Sequence, residues 1–107
     1  MTSSGSGVDD VFDALADATR RQVLRNLAEK GPQTPTELAD HLPVSRQAVS
    51  KHLDVLGRAG LVTSARLGRE TRFTFQPEPL TDAAAWMADV GGKWDRRLDA
   101  LRKRLSS

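Results

Sequence analysis

A mainly α-helical fold with one small β-hairpin, in the order ααααββα, is predicted by three features of this sequence. Residues 34–75, TPTELADHLPVSRQAVSKHLDVLGRAGLVTSARLGRETRFTF, run through a short capped helix, a tight turn, a second helix and a hairpin without interruption. Apolar residues recur at helical spacing in two segments before this stretch and in one long segment after it. Basic residues concentrate in its second helix and hairpin, although the net charge of the whole chain is only +2. A short helix, a turn, a longer helix and a basic hairpin in this order describe a winged helix-turn-helix, with residues 1–7 as a flexible N-terminal tail and residues 8–107 as one DNA-binding and dimerisation domain.

Each element has a local reason. MTSSGSG has the composition of a flexible tail. In residues 8–16, Val8, Val11, Phe12 and Leu15 lie at helical spacing, and acids in the first turn suit the positive end of a helix dipole. A second helix spans Thr19 to Glu29, with Val23, Leu24 and Leu27 inward and Arg20, Arg21 and Arg25 outward, and stops at Gly31-Pro32. Thr34-Pro35-Thr36-Glu37 starts the third: Thr34 caps, Pro35 suits the first helical position and Glu37 completes a capping box. Pro43 enforces the turn after Leu42, Ser45 caps a fourth helix ending near Ala59, and Gly60 sits where a left-handed terminator belongs. Leu61–Leu67 and Glu70–Phe75 read as two strands around a Gly68 turn. After Pro77 and Pro79, Thr81 is the expected cap of a last helix. That helix carries a stripe of Trp86, Val90, Trp94, Leu98, Leu101 and Leu105, with Gly91 and Gly92 marking a kink or a close crossing.

The composition excludes several classes of function. With no cysteine, disulfides and thiolate metal sites are impossible. No apolar run approaches the roughly 20 residues of a membrane helix, and the start has no signal-peptide pattern, so a cytoplasmic protein is expected. Charge is unevenly spread. Residues 1–42 hold seven acids and four bases, whereas residues 43–75 hold six bases (Arg46, Lys51, Arg58, Arg66, Arg69, Arg72) against Asp54 and Glu70. That footprint suits a polyanion.

The fourth helix separates its chemistry by angle. At about 100° per residue, with Arg46 at zero, Ser50, Asp54, Gln47, Arg58 and Lys51 fall between roughly 40° and 140°. Val49, Leu53 and Leu56 fall between about 280° and 340°. Arg46 can grip guanine in bidentate fashion or a phosphate, Gln47 can pair with adenine, and Ser50 and Lys51 can reach base or phosphate. Arg46 and Gln47 occupy the first turn, the end that enters a major groove. Thr34 can offer its hydroxyl and nearby backbone N–H groups to a phosphate. Arg66, Arg69 and Arg72 surround the hairpin turn and can line a minor groove, or simply guard an edge strand. His52, beside the apolar face, reads as a packed structural histidine. Ser50 and His52 lie about 200° apart around the helix, which rules them out as a nucleophile–base pair. No paired carboxylates, phosphate loop or metal cluster appears, so no enzyme activity and no cofactor are expected.

The stretches FDALADATRRQVLRNLAEKG and TPTELADHLPVSRQAVSKHLDVLGRAGLV resemble the ArsR family of bacterial winged-helix repressors, and the resemblance runs over roughly residues 8–105. The tail WMADVGGKWDRRLDALRKRL is similar to the non-metal, autorepressor-type branch. The resemblance implies a homodimer built on the first and last helices, here Val8, Val11, Phe12, Trp86, Val90, Trp94, Leu98 and Leu101. It implies recognition of double-stranded DNA by Ser45, Arg46, Gln47, Ser50 and Lys51 with help from the wing, and repression at an operator expected to be an imperfect inverted repeat. Metal sensors of the family carry cysteines on the third helix, where this chain has TELADHL, or Asp–His pairs on the last helix, which here has no histidine. No metal sensing is therefore expected, and the sequence names no small-molecule effector. A winged helix used only as a protein-interaction scaffold is the competing reading.

Overall fold

The computed structural model describes residues 3–106, with the side chains of residues 3–6 left out; Met1, Thr2 and Ser107 lie outside the described residues. Five helices and one hairpin follow in order: α1 (Ser3–Leu15), α2 (Ala18–Lys30), α3 (Pro35–His41), α4 (Arg46–Arg58), β1 (Val62–Leu67), β2 (Glu70–Phe75) and α5 (Glu78–Ser106). The order is the one the sequence predicts. Two helix starts differ. Helix α1 begins at Ser3, so residues 3–7 are helical where a tail is expected. Extending a formed helix costs far less than nucleating one, and this accommodates even a Ser/Gly stretch. Helix α5 begins at Glu78, not after a Thr81 cap, and places Pro79 in its first turn. That turn needs no donor from Pro79, and the N–H groups of Leu80 and Thr81 donate to the Pro77 carbonyl at 2.9 and 3.2 Å.

The core lies where α1, α2, α3 and α4 meet under the base of the hairpin. Leu27, Leu38, Leu53, Leu56 and Leu61 are fully buried together with Val11, Val23 and Val49. Each such side chain contributes about 1.5–3 kcal/mol. Val49, Leu53 and Leu56 are the inner face expected from the angular count on α4. Val11, expected in a dimer contact, is instead core: at 1% exposure it has no surface to offer a second chain.

Two arginines expected to face outward do more. Arg20 Nε donates to the Ala14 carbonyl at 2.9 Å and Arg21 Nη1 to the Leu15 carbonyl at 2.6 Å. They satisfy acceptors at the end of α1 that the helix itself leaves open. Asp17 caps α2 by accepting from the Arg20 N–H at 3.0 Å. That bond, then the Thr19 N–H and the charges of Arg20 and His52, hold its carboxyl below the usual range against a smaller desolvation cost.

The hairpin is a two-stranded antiparallel sheet with Val62 opposite Phe75 and Leu67 opposite Glu70. Only Gly68 and Arg69 lie between the strands, and Gly68 takes φ +65°. A left-handed first residue followed by an ordinary second is the II′ hairpin pattern that favours glycine first. At the hairpin's base, Gln33 exchanges two backbone hydrogen bonds with Phe73, at 3.1 and 2.8 Å. This bridge fastens the segment before α3 to the wing. Gln33 carries no strand pattern, so nothing in the sequence announces it.

Helix α5 leaves the body. Its 29 residues span about 43 Å at 1.5 Å per residue. Ala83 is its only buried residue among those described. Trp86 meets Phe12 of α1 edge-on, with centroids 5.5 Å apart. Beyond this contact, Val90, Trp94, Leu101 and Leu105 are exposed and Leu98 is half-buried. The helix is continuous through Gly91 and Gly92, and no other helix crosses closely at Gly91 among the described residues, where an added Cβ would meet nothing within 4 Å.

Candidate nucleic-acid interface

Helix α4 holds its outer face rigidly because its inner face is anchored. Ser45 starts it, accepting from the Ala48 N–H at 3.1 Å. Arg46, Gln47, Ser50 and Lys51 are all exposed and together line one shallow surface depression. The four residues chosen by angle thus share one surface. Ser45 is also exposed, and its hydroxyl hydrogen remains able to donate although its oxygen caps the helix.

Arg46 and Ser50 also border a second concavity of about 630 Å³. The first turn of α3 forms one wall, α4 the floor, and the wing residues Arg69, Glu70 and Thr71 the other wall. Arg69 is therefore the wing arginine that faces the same space as the outer face of α4. Arg66 is exposed, with its Nε donating to the Gly68 carbonyl at 3.3 Å. Glu37, Asp54 and Glu70 line this concavity too, so its basic surface is interrupted by carboxylates.

Arg72 and Thr34 do not stand as expected. Arg72 turns back from the wing, with Nη1 3.1 Å from Glu37 and Nη2 3.0 Å from Glu70. Two carboxylates hold it as a strut between wing and α3 instead of presenting it outward. Thr34 is 9% exposed and spends its groups locally. Its hydroxyl accepts from the Glu37 N–H at 3.1 Å, and its own N–H donates to Glu37 Oε1 at 2.9 Å. The capping box is as expected, and it occupies the Thr34 and Glu37 N–H groups. The Thr34 N–H, followed by the positive charge of Arg72, holds the Glu37 carboxyl below its ordinary range against a smaller desolvation cost.

His52 is half-buried at the edge of the core, as a structural histidine should be. Among the described residues, no group of three or more His, Cys, Asp or Glu side chains could hold a metal ion, and no helix is long and apolar enough to cross a membrane.

A helix-turn-helix domain family model matches residues 15–65, from the end of α1 into β1. The chain is 43% identical to an HTH-type transcriptional regulator of Mycobacterium tuberculosis, Rv2034, over 92% of this chain and 89% of that protein. It is 31% identical to the transcriptional repressor SdpR of Bacillus subtilis over 85% of this chain and all of that one. Among solved structures, an ArsR-like transcriptional regulator from Rhodococcus sp. RHA1 superposes with a TM-score of 0.84 at 40% identity, covering 94% of each chain. The homodimeric winged helix-turn-helix domain Mb0332 of Mycobacterium bovis superposes with a TM-score of 0.66 at 27% identity, covering 92% of this chain and 88% of that one. Similar in sequence and fold over almost its whole length, the chain belongs to the ArsR family of winged helix-turn-helix transcriptional regulators.

Proposed function

We propose that this regulator is a homodimeric, sequence-specific double-stranded DNA-binding repressor of its own or a neighbouring operon, acting in the cytoplasm without sensing a metal and without enzymatic activity. One observation carries the DNA reading: Arg46, Gln47, Ser50 and Lys51 share an exposed face of a helix whose opposite face is core, with Arg69 across the adjoining concavity. A helix about 10–12 Å across fits the roughly 12 Å major groove of B-DNA. In that seat Arg46 and Gln47 read base edges, while Ser45, Ser50 and Lys51 hold base or phosphate. Arg69 tracks the backbone or the minor groove beside it, with Arg66 as a weaker neighbour. Thr34 and Arg72 act through the frame instead.

Dimerisation is supported by the half-exposed face of Trp86, Val90, Trp94 and Leu101, flanked by Val8, Phe12 and Leu98, and by the homodimeric state of the Mycobacterium bovis neighbour. A two-fold dimer presents two recognition helices about 34–36 Å apart, so its operator is an imperfect inverted repeat. The lack of any thiol leaves thiophilic metals without soft ligands.

Footprinting on the DNA upstream of the coding sequence, repeated across a salt series, tests the reading. Protection of two half-sites one helical turn apart is expected, with log affinity falling linearly against log salt by about 0.9 per phosphate neutralised. No duplex binding at low salt would overturn it in favour of a protein-interaction scaffold.

A further inference from the structure

The carboxylates of the concavity beside α4 are not alike. Glu37 and Glu70 are both held by Arg72, at 3.1 and 3.0 Å. Asp54, which lines the same space, is exposed, and its side chain has no hydrogen-bond or ion-pair partner among the described residues. Even Arg58, one turn further along the same helix, leaves it unpaired.

Nothing local explains an acid here. Aspartate is a weak helix former, and Asp54 is the ninth of the 13 residues of α4. It stands in the half nearer the negative end of the helix, where a carboxylate gains nothing from the dipole. Residues 43–75 otherwise hold six bases and Glu70, so Asp54 also opposes the charge that a polyanion favours.

Its position supplies a use. Arg46, Ser50 and Asp54 follow one another at four-residue steps, and all three line the concavity that Arg69 of the wing faces. The row presents a cation, a hydroxyl and an anion, one per turn. Around the helix Asp54 lies about 80° from Arg46, between Ser50 and Gln47. Along the axis it lies about 12 Å beyond Arg46, roughly three base-pair steps of about 3.4 Å.

We propose that Asp54 is a base-reading residue, whose carboxylate accepts a hydrogen bond from the N4 amino group of a cytosine about three base pairs from the base that Arg46 grips. The proposal rests on the DNA-binding reading above and adds a specificity determinant to it. An ionised carboxylate is an acceptor only. In the major groove cytosine offers it an amino donor, whereas guanine presents N7 and O6 and thymine O4, all acceptors. Adenine sets its N7 acceptor beside its amino group, which makes it a poorer match than cytosine. Facing Asp54, cytosine gains a bond, while guanine and thymine meet a repelling charge. Against phosphates the same charge is unfavourable on every duplex. It therefore weakens binding to unrelated sequences and widens the gap between right and wrong sites.

Binding selection from a randomised half-site, run on the full-length wild type, Asp54→Ala and Asp54→Asn, tests the assignment. Wild type is expected to select cytosine at one position, other than the one Gln47 reads, by about five- to tenfold over guanine or thymine. Asp54→Ala should lose the preference at that position and keep the others. Asp54→Asn should move it to adenine, which a side-chain amide matches in bidentate fashion. Both variants should bind an unrelated duplex several-fold more tightly at low salt. Because Asp54 is exposed and unpaired, both should melt as wild type does, so a changed preference is not a changed fold. A wild type that binds no duplex at low salt would overturn the DNA-binding reading itself. A wild type that binds and selects, with every preference kept in both variants, overturns the role of Asp54 and leaves that reading standing.

Discussion

Arg72 Nη1 lies 3.1 Å from Glu37 Oε1, joining the middle of the wing to the first turn of α3 across 35 residues of sequence. The same carboxylate oxygen accepts the Thr34 N–H. One acidic group therefore caps a helix and holds a strand, and the wall of the concavity between α3, α4 and the wing is set by both.

Arg72→Ala and Arg69→Ala should separate frame from contact. Arg72 is about one-third exposed and paired, so its loss should cost roughly 0.5–1 kcal/mol of stability in a urea melt. The salt slope of DNA binding should stay unchanged. Arg69→Ala should leave the melt alone, weaken all duplexes evenly and lower the slope by about one phosphate's worth. The opposite pattern would reassign the two arginines.

Gln47→Ala should relax preference at one base pair of each half-site and cost about 1–3 kcal/mol on the preferred duplex. Its position in the first turn of α4, exposed beside Arg46, gives the expectation. Binding selection from a randomised half-site measures it, and an unchanged preference at every position would remove Gln47 from the reading face.

Acid should loosen the domain through Glu37 and Asp17. Both carboxyls are held below their unfolded values, so each contributes stability that is fully present above the unfolded pKa and disappears as pH falls through the lower folded one. Urea midpoints should therefore decline from about pH 5 downward. Glu37→Gln, which keeps a capping acceptor but cannot ionise, should flatten part of that decline. A variant with the wild-type pH profile would count against a charged cap.

Leu53→Ala should cost about 2–5 kcal/mol, because a fully buried leucine leaves both lost burial and a cavity. Leu53 also seats α4 against the core, so operator affinity should fall along with thermal stability, although Leu53 faces away from the exposed face of α4 that carries Arg46, Gln47, Ser50 and Lys51. Calorimetry and gel shifts on the same preparation check the pair of effects.

Much of the fold was legible because its signals are local. The capping box at Thr34–Glu37, the Ser45 cap, Gly60 and the Gly68 turn act within a few residues of themselves, and all four stand where the sequence places them. The angular sorting of α4 needed only the pitch of a helix, and its buried Val49, Leu53 and Leu56 follow. The starts of α1 and α5 were less legible, since Ser/Gly runs and a proline in the first turn are each compatible with coil or with a helix start.

The sequence by itself determined the order of elements, the two faces of α4, the concentration of basic charge on residues 43–75 and the absence of thiol chemistry. These follow from periodicity and composition, which need no distant partner. Only the tertiary structure decided which members of each group are free to act. Arg69 faces the concavity while Arg72 is held by Glu37 and Glu70; Val11 turns into the core while Trp94 stays exposed. The physical reason is the same in each case. A side chain's availability depends on what lies opposite it, and across 35 residues of chain a helical or strand period carries no information about that neighbour.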